Sequence, residues 1–161
     1  VGRGGDRTLI EEITGIHREL RELLLRIDTL PFGDERFRGL VDQAITVLRR
    51  HARLERAHLF PAVRAHLVRG EALAERELAD HARIERALTG LTRLAPTDPV
   101  FAPRLDALMQ TVRCHFARQE EHLFPRLRDM VPAWRLRALG DEARRSERTY
   151  GRLAGPPLGV L

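Results

Sequence analysis

The sequence predicts an all-α fold: an up-down antiparallel four-helix bundle, made of two hairpins related by a pseudo-two-fold, plus a short C-terminal helix. Three observations predict it. Apolar residues recur with helical period along the chain, and strand-like alternation is absent. The breaks are few and short: Pro31-Phe32-Gly33, Gly70, residues 95–99 and residues 130–132. Short connections make consecutive helices antiparallel neighbours. Finally, the chain repeats itself at an offset of 64 residues: His17 with His81, His51 with His115, and His58 with His122. Leu59-Phe60-Pro61 returns as Leu123-Phe124-Pro125 at the same offset, and of the seven histidines only His66 is unpaired.

Each element has its own signal. The first helix, about 6–30, places Ile13, Leu20, Leu24 and Ile27 on one stripe, with His17 in the remaining slot. The second, about 34–69, starts at Asp34 as a candidate N-cap. Its stripe runs Ala44, Leu48, His51, Glu55, His58. The third, about 71–94, reads Ala74, Leu78, His81, Glu85, Leu88. The fourth, about 99–130, has Asp98 as candidate N-cap and Pro99 at a favourable first position. Its stripe is Leu105, Leu108, Val112, His115, Gln119, His122. Pro61 and Pro125 fall late in the second and fourth helices and should kink or loosen the last turns. A fifth, shorter helix spans about 132–150, with Trp134 and Tyr150 packing against the bundle. The organisation is then one domain over residues 1–151 and a flexible tail over 152–161.

Composition narrows the function. A chain of 161 residues with 43% hydrophobic and 32% charged residues can build one real core. The net charge of +5 comes from a chain whose basic residues are all arginine. Arginine lifts the isoelectric point without implying a basic patch. Acids and arginines alternate along helix faces, as in Arg18-Glu19, and no basic run is interleaved with aromatics, so no nucleic-acid site is expected. No apolar run approaches the length of a membrane span. Cys114 is the lone cysteine, which fits a reducing, cytoplasmic setting. It turns about 100° from His115 on the helix and reads as buried packing. The start lacks a signal-peptide pattern. His66 reads as a surface residue.

The stripes pose a chemical problem. All four helices aim imidazoles or carboxylates at one interior. Each unpaired buried polar group costs about 1–3 kcal/mol, and a domain has only about 5–15 kcal/mol in hand. Metal coordination resolves this, because the groups become ligands. Residues i and i+4 lie about 40° apart around a helix, so His51 with Glu55, and His81 with Glu85, can each serve one cluster. The duplication points to two metal ions. Mixed imidazole and carboxylate donors suit iron or manganese better than a structural zinc site.

These residues resemble the hemerythrin-like, or HHE cation-binding, family. The resemblance is carried by His17 in "GIHREL", by "HARLERAHLFP" from His51, by "DHARIE" from Asp80 and by "HFARQEEHLFP" from His115. It covers about residues 6–130. It implies a non-haem centre of two iron ions, bridged by an oxo or hydroxo group and two carboxylates, with manganese or zinc as alternatives. His17, His51, His81 and His115 match the family's terminal ligands, and Glu55 matches a bridging carboxylate. Glu120 matches the second bridge, five residues after the fourth-helix histidine. Glu85 stands where oxygen-carrying members have another histidine. Gln119 stands where many members have a Glu, and an amide is a poor iron ligand, so Glu120 or Glu121 must serve instead. Glu120 lies nearer the apolar line of Met109, Phe116 and Leu123, while Glu121 turns outward. His58 and His122 are further candidates, either at the second ion or along an access path.

The resemblance implies binding of O2, NO or peroxide, with an electron donor the sequence does not name. Four histidines with three carboxylates would favour the oxidised metal, and hence redox or peroxide chemistry over reversible O2 carriage. The alternatives are a di-iron oxidase or oxygenase acting on a small organic substrate, and a structural or zinc-binding helical interaction module. No signalling domain is evident in the sequence, which argues against a chemotaxis receptor or a ubiquitin-ligase adaptor.

Overall fold

In a computed structural model, residues 7–31 and 34–153 are described, and the side chains of 151–153 are left out of the description. Every element among them is helical. Helix α1 spans Leu9–Thr29 and α2 Arg36–Leu54. A π-helical turn, Glu55–Leu59, joins α2 to α3, Phe60–His66. Helix α4 spans Gly70–Thr92 and α5 Phe101–Arg118. A second π-helical turn, Gln119–Leu123, leads into α6, Phe124–Met130, and α7 spans Ala133–Leu153. Helix α1 packs on α2, α3 on α4, α4 on α5, and α5 returns to α1. Helix α7 is as long as α1, not short, and lies along α1 and the first π turn. The tail beyond residue 153 lies outside the described residues.

Local chemistry sets the ends. Thr8 and Glu11 form a capping box at α1: the Thr8 amide donates to Glu11 Oε2 at 2.7 Å, and the Glu11 amide to Thr8 Oγ1 at 3.3 Å. Asp34 and Asp98 each accept a backbone N–H two residues on, from Arg36 and Val100. The helices behind them begin at Arg36 and Phe101, so the cap positions are Glu35 and Val100. Two glycines permit close approach. A Cβ on Gly70 would stand 2.2 Å from the Val63 carbonyl oxygen, and one on Gly140 would stand 2.3 Å from that of Arg7. The left-handed residue of the α3–α4 turn is Arg69, at φ 60°.

The prolines act upstream of where a kink was expected. Pro61 and Pro125 each occupy the second position of a helix that follows a π turn. A proline lacks the N–H and crowds the carbonyl four residues earlier. Widening that turn to π geometry accommodates the proline without breaking the helix. Such insertions are frequent at functional sites. Here they begin at Glu55 and Gln119, two residues separated by the repeat offset.

The apolar stripes close as read on α1, where Ile13, Leu20, Leu24 and Ile27 are all buried. On α4 the stripe is shifted: Glu77 and Ile84 are buried, Leu78 is half-buried and Glu85 is exposed. Trp134 faces solvent, contrary to the packing expected, because α7 turns Leu136, Leu139 and Ala143 inward instead; Tyr150 is half exposed and packs its ring against the Arg53 guanidinium of α2. Cys114 is also exposed, since His115 and Phe116 take the two inward positions beside it.

Candidate metal centre

Four donors converge in the middle of the bundle. His51 from α2, Glu55 from the first π turn, His81 from α4 and His115 from α5 are all buried, with one ligand atom each lying within 4.8 Å of the others. Glu55 is the hub. Its Oε1 is 3.2 Å from His51 Nε2, and its Oε2 is 2.9 Å from His81 Nε2 and 3.8 Å from His115 Nε2. Closeness does not amount to hydrogen bonding here. Both ring nitrogens of His81, both of His115 and Glu55 Oε1 are buried without a hydrogen-bond partner. Buried polar atoms are ordinarily satisfied, so a cluster of orphans calls for an ion. The donor set fits a transition metal that accepts imidazole and carboxylate together.

His17 flanks this cluster. Its Nε2 is 2.9 Å from His51 Nε2, and its Nδ1 is 2.7 Å from Glu120 Oε1. Arg21 donates to both oxygens of Glu120 at 2.9 Å. The inner nitrogen of His17 therefore faces the centre while the outer one is held by a carboxylate, the arrangement that fixes tautomer and ring direction in metal sites. His115 has a related environment: its Nδ1 lies 3.5 Å from Glu77 Oε2 and 3.8 Å from Asp80 Oδ2. Both acids are buried, and Arg118 and Arg83 pair with Asp80. Phe116 stacks on His17 at 3.8 Å between ring centroids, and Phe60 and Phe124 stand against His81 and His17. These rings form an apolar wall beside His17 and His81.

The electrostatics suit ligands. Burial pushes the pKa of His17, His51 and His81 below the ordinary value, outweighing the carboxylates beside them, so the imidazoles are neutral donors at neutral pH. Burial alone would raise the pKa of Glu55, but His51, His115 and His81 outweigh it and hold it well below the usual range. The hydrogen bond from His17 and the Arg21 pair, against partial burial, lower Glu120 to about 2.

The remaining expected residues sit elsewhere. Glu120 is beside His17, not among the four converging donors, because the turn from Gln119 to Glu120 carries it to the outer edge. Glu85 is exposed and lies 3.4 Å from Arg56; Ile84, its apolar neighbour, holds the core position. Glu121 is exposed. Gln119 is fully buried at the centre. Its amide donates to Glu55 Oε2 at 3.1 Å and to Glu77 Oε2 at 2.9 Å, and its carbonyl oxygen has no partner. His58 is half-buried with an unpartnered Nε2, outside the cluster, and its pKa is lowered by burial. His122 is exposed on a surface cleft with Arg118 and Arg126, and His66 is half-buried. Glu77 and Asp80 were missed as site residues, although Asp80 belongs to the "DHARIE" motif. The signal for Glu77 was the set of helical positions 74, 77, 81 and 84, which fits the period as well as 74, 78, 81 and 85.

A pocket of about 240 Å³ opens between α2 and α4 and ends at His51, His81 and His115. It is the route by which a small molecule can reach the donors.

Comparison with known proteins agrees with this geometry. The sequence profile described as the hemerythrin HHE cation binding domain matches residues 8–127. The fold is similar to the crystal structure of a hemerythrin HHE cation binding domain-containing protein from Mycobacterium kansasii. The TM-score is 0.80 at 20% identity, over 89% of this chain and 87% of that one. No curated protein matches the chain.

Proposed function

We infer that the chain, which belongs to the hemerythrin HHE cation-binding domain family, holds two iron ions at this centre and binds O2, NO or peroxide there in redox chemistry. The observation that carries this is the set of orphaned, buried nitrogens of His81 and His115 around the ionised Glu55. His17, His51, Glu55, His81 and His115 would hold the ions. Bound iron supplies one-electron steps and an open position for a small ligand. The chain's own residues do the rest. Neutral imidazoles present inward nitrogens, Glu120 orients His17 from behind, Glu77 and Asp80 set negative charge behind His115, and the Gln119 amide steadies Glu55 between the two halves. Phe60, Phe116 and Phe124 wall the His17 and His81 side of the centre.

The structure leaves Glu85 and Glu120 outside the converging donors, so the count of three carboxylates no longer supports a preference for the oxidised metal. Whether the centre carries O2 or turns it over is read from the reduced protein in air. Return of the oxidised spectrum within minutes supports redox chemistry. A species persisting for hours supports carriage. Elemental analysis of protein from iron-supplemented cells tests the reading as a whole: two irons per chain are expected, and one zinc or no metal would overturn it.

A second reading, oxidation of a small organic substrate, is favoured by one observation. The pocket above His51, His81 and His115 is much larger than a diatomic ligand needs. No described helix is long and apolar enough to cross a membrane.

A further inference from the structure

The pocket has a chemistry of its own. Its walls include Leu48, Ile84 and Leu88, which are buried and apolar. Its mouth carries Arg49 and Arg53 from α2 and Arg56 from the first π turn. Their 4-3 spacing aligns them as one stripe. Arg53 is engaged by Glu147 at 2.7 Å and lies over the Tyr150 ring at 3.6 Å. Arg56 reaches only Glu85, at 3.4 Å. Arg49 has no partner among the described residues. Three guanidinium groups thus face two carboxylates, and the excess positive charge stands at the outer end of an apolar shaft. The inner end is the histidine cluster.

The volume of about 240 Å³ equals the liquid volume of roughly eight waters. Ligand sites commonly combine apolar walls with a few placed polar groups. Arginine is the side chain suited to a carboxylate. We propose that this pocket binds a small amphipathic carboxylate, its acid at Arg49 and Arg56 and its apolar body along Leu48, Ile84 and Leu88, reaching toward His81 and His115. This names a substrate class for the second reading above and rests on it only for what happens to the bound molecule. Binding itself needs no metal.

The test titrates metal-free protein with hexanoate by calorimetry, beside hexanol, which keeps the body without the acid, and inorganic phosphate, an anion without the body. One saturable hexanoate site is expected, with hexanol and phosphate weaker by about tenfold or more. The double variant Arg49→Ala, Arg56→Ala should weaken hexanoate by about tenfold, and Arg49→Lys, Arg56→Lys should restore most of it. Hexanoate should shift the ring resonances of His81 and His115, and acetate should not. No saturable binding, equal binding of phosphate or hexanol, indifference to the alanine variants, or unmoved histidine resonances would each overturn the proposal. Because every arm uses metal-free protein, its failure is separate from a failure to find iron.

Discussion

The two halves of the bundle repeat the same histidines and differ in their charges. In the first half, His51 is followed four residues later by Glu55; in the second, His115 is followed by Gln119. Both side chains are fully buried at the start of a π turn, and they touch across the pseudo-two-fold at 3.1 Å. The negative charge missing at 119 is present at Glu77, on the neighbouring helix, 2.9 Å from the Gln119 amide. The two halves therefore share the skeleton of imidazoles and carry their buried acids on different helices. A carboxylate's worth at such a centre depends on where its oxygens arrive, and less on which helix carries it.

The sharpest way to break the comparison is to neutralise each half in turn. Glu55→Gln removes the only carboxylate among the four converging donors. Iron per chain should fall below half the wild-type value, an affinity loss exceeding the about 10–100-fold typical of supporting residues. Gln119→Ala deletes a residue that steadies Glu55 without being a converging donor, so iron binding should weaken by about tenfold, less than in Glu55→Gln. Elemental analysis after identical purification reads both. Equal loss in the two variants would mean that Gln119 is itself a ligand and that the halves are not distinct.

Restoring the symmetry should have a smaller effect with a characteristic sign. Gln119→Glu places a third carboxylate within about 3 Å of Glu55 and Glu77 and removes the amide that bridges them. Without metal, like charges crowd a buried site, and destabilisation of about 1–3 kcal/mol is expected. For a chain this size that is about 2–4 °C in Tm per kcal/mol. With metal the new carboxylate has a partner, so the rise in Tm on metal binding should exceed that of the wild type. Calorimetry with and without a chelator measures both. An unchanged Tm in the metal-free variant would show that residue 119 does not face the two acids.

The contrast between the halves also explains what the sequence made legible. The 64-residue offset exposed the hairpins, the helices and the buried histidines, because a repeated polar residue on an apolar stripe has no cheap structural explanation. The acids were harder. On α4 the period of 3.6 admits either Glu77 and Ile84 or Leu78 and Glu85 as the inward pair, and packing chose the first. Ile84 beside Glu85 was a usable hint, since burying an isoleucine is favourable and burying an unpaired glutamate is costly. On the fourth long helix, Glu120 was assigned to the interior by the family's spacing and by its nearness to the apolar line of Met109, Phe116 and Leu123. Register cannot see the π turn that starts at Gln119, nor the Arg21 pair that draws Glu120 outward. Cys114 and Trp134 show the same limit: hydrophobic character alone did not bury them.

The outer carboxylate gives the mildest test, and it turns on pH. The folded-state pKa of Glu120 is about 2, below the ordinary value of 4.5. A lowered acid pKa means that the folded protein favours the ionised form. Its contribution to stability is complete above about pH 4.5 and is lost as pH falls toward 2. Burial of His17, His51 and His81 acts in the same direction at higher pH. Their lowered pKa values mean the unfolded chain binds protons first, so the metal-free protein should begin to lose stability as pH falls through about 6.5. Glu120→Gln should flatten the limb between pH 4.5 and 2 and, because Glu120 partly offsets the burial of His17, carry the histidine limb further toward low pH. Iron should still bind, about tenfold more weakly, because His17 loses its orienting partner but keeps its inward nitrogen. Denaturant melts across pH, beside metal titrations, separate the two roles open to Glu120. Complete loss of iron would make it a ligand. A flattened acid limb with iron retained would make it the residue that aims His17.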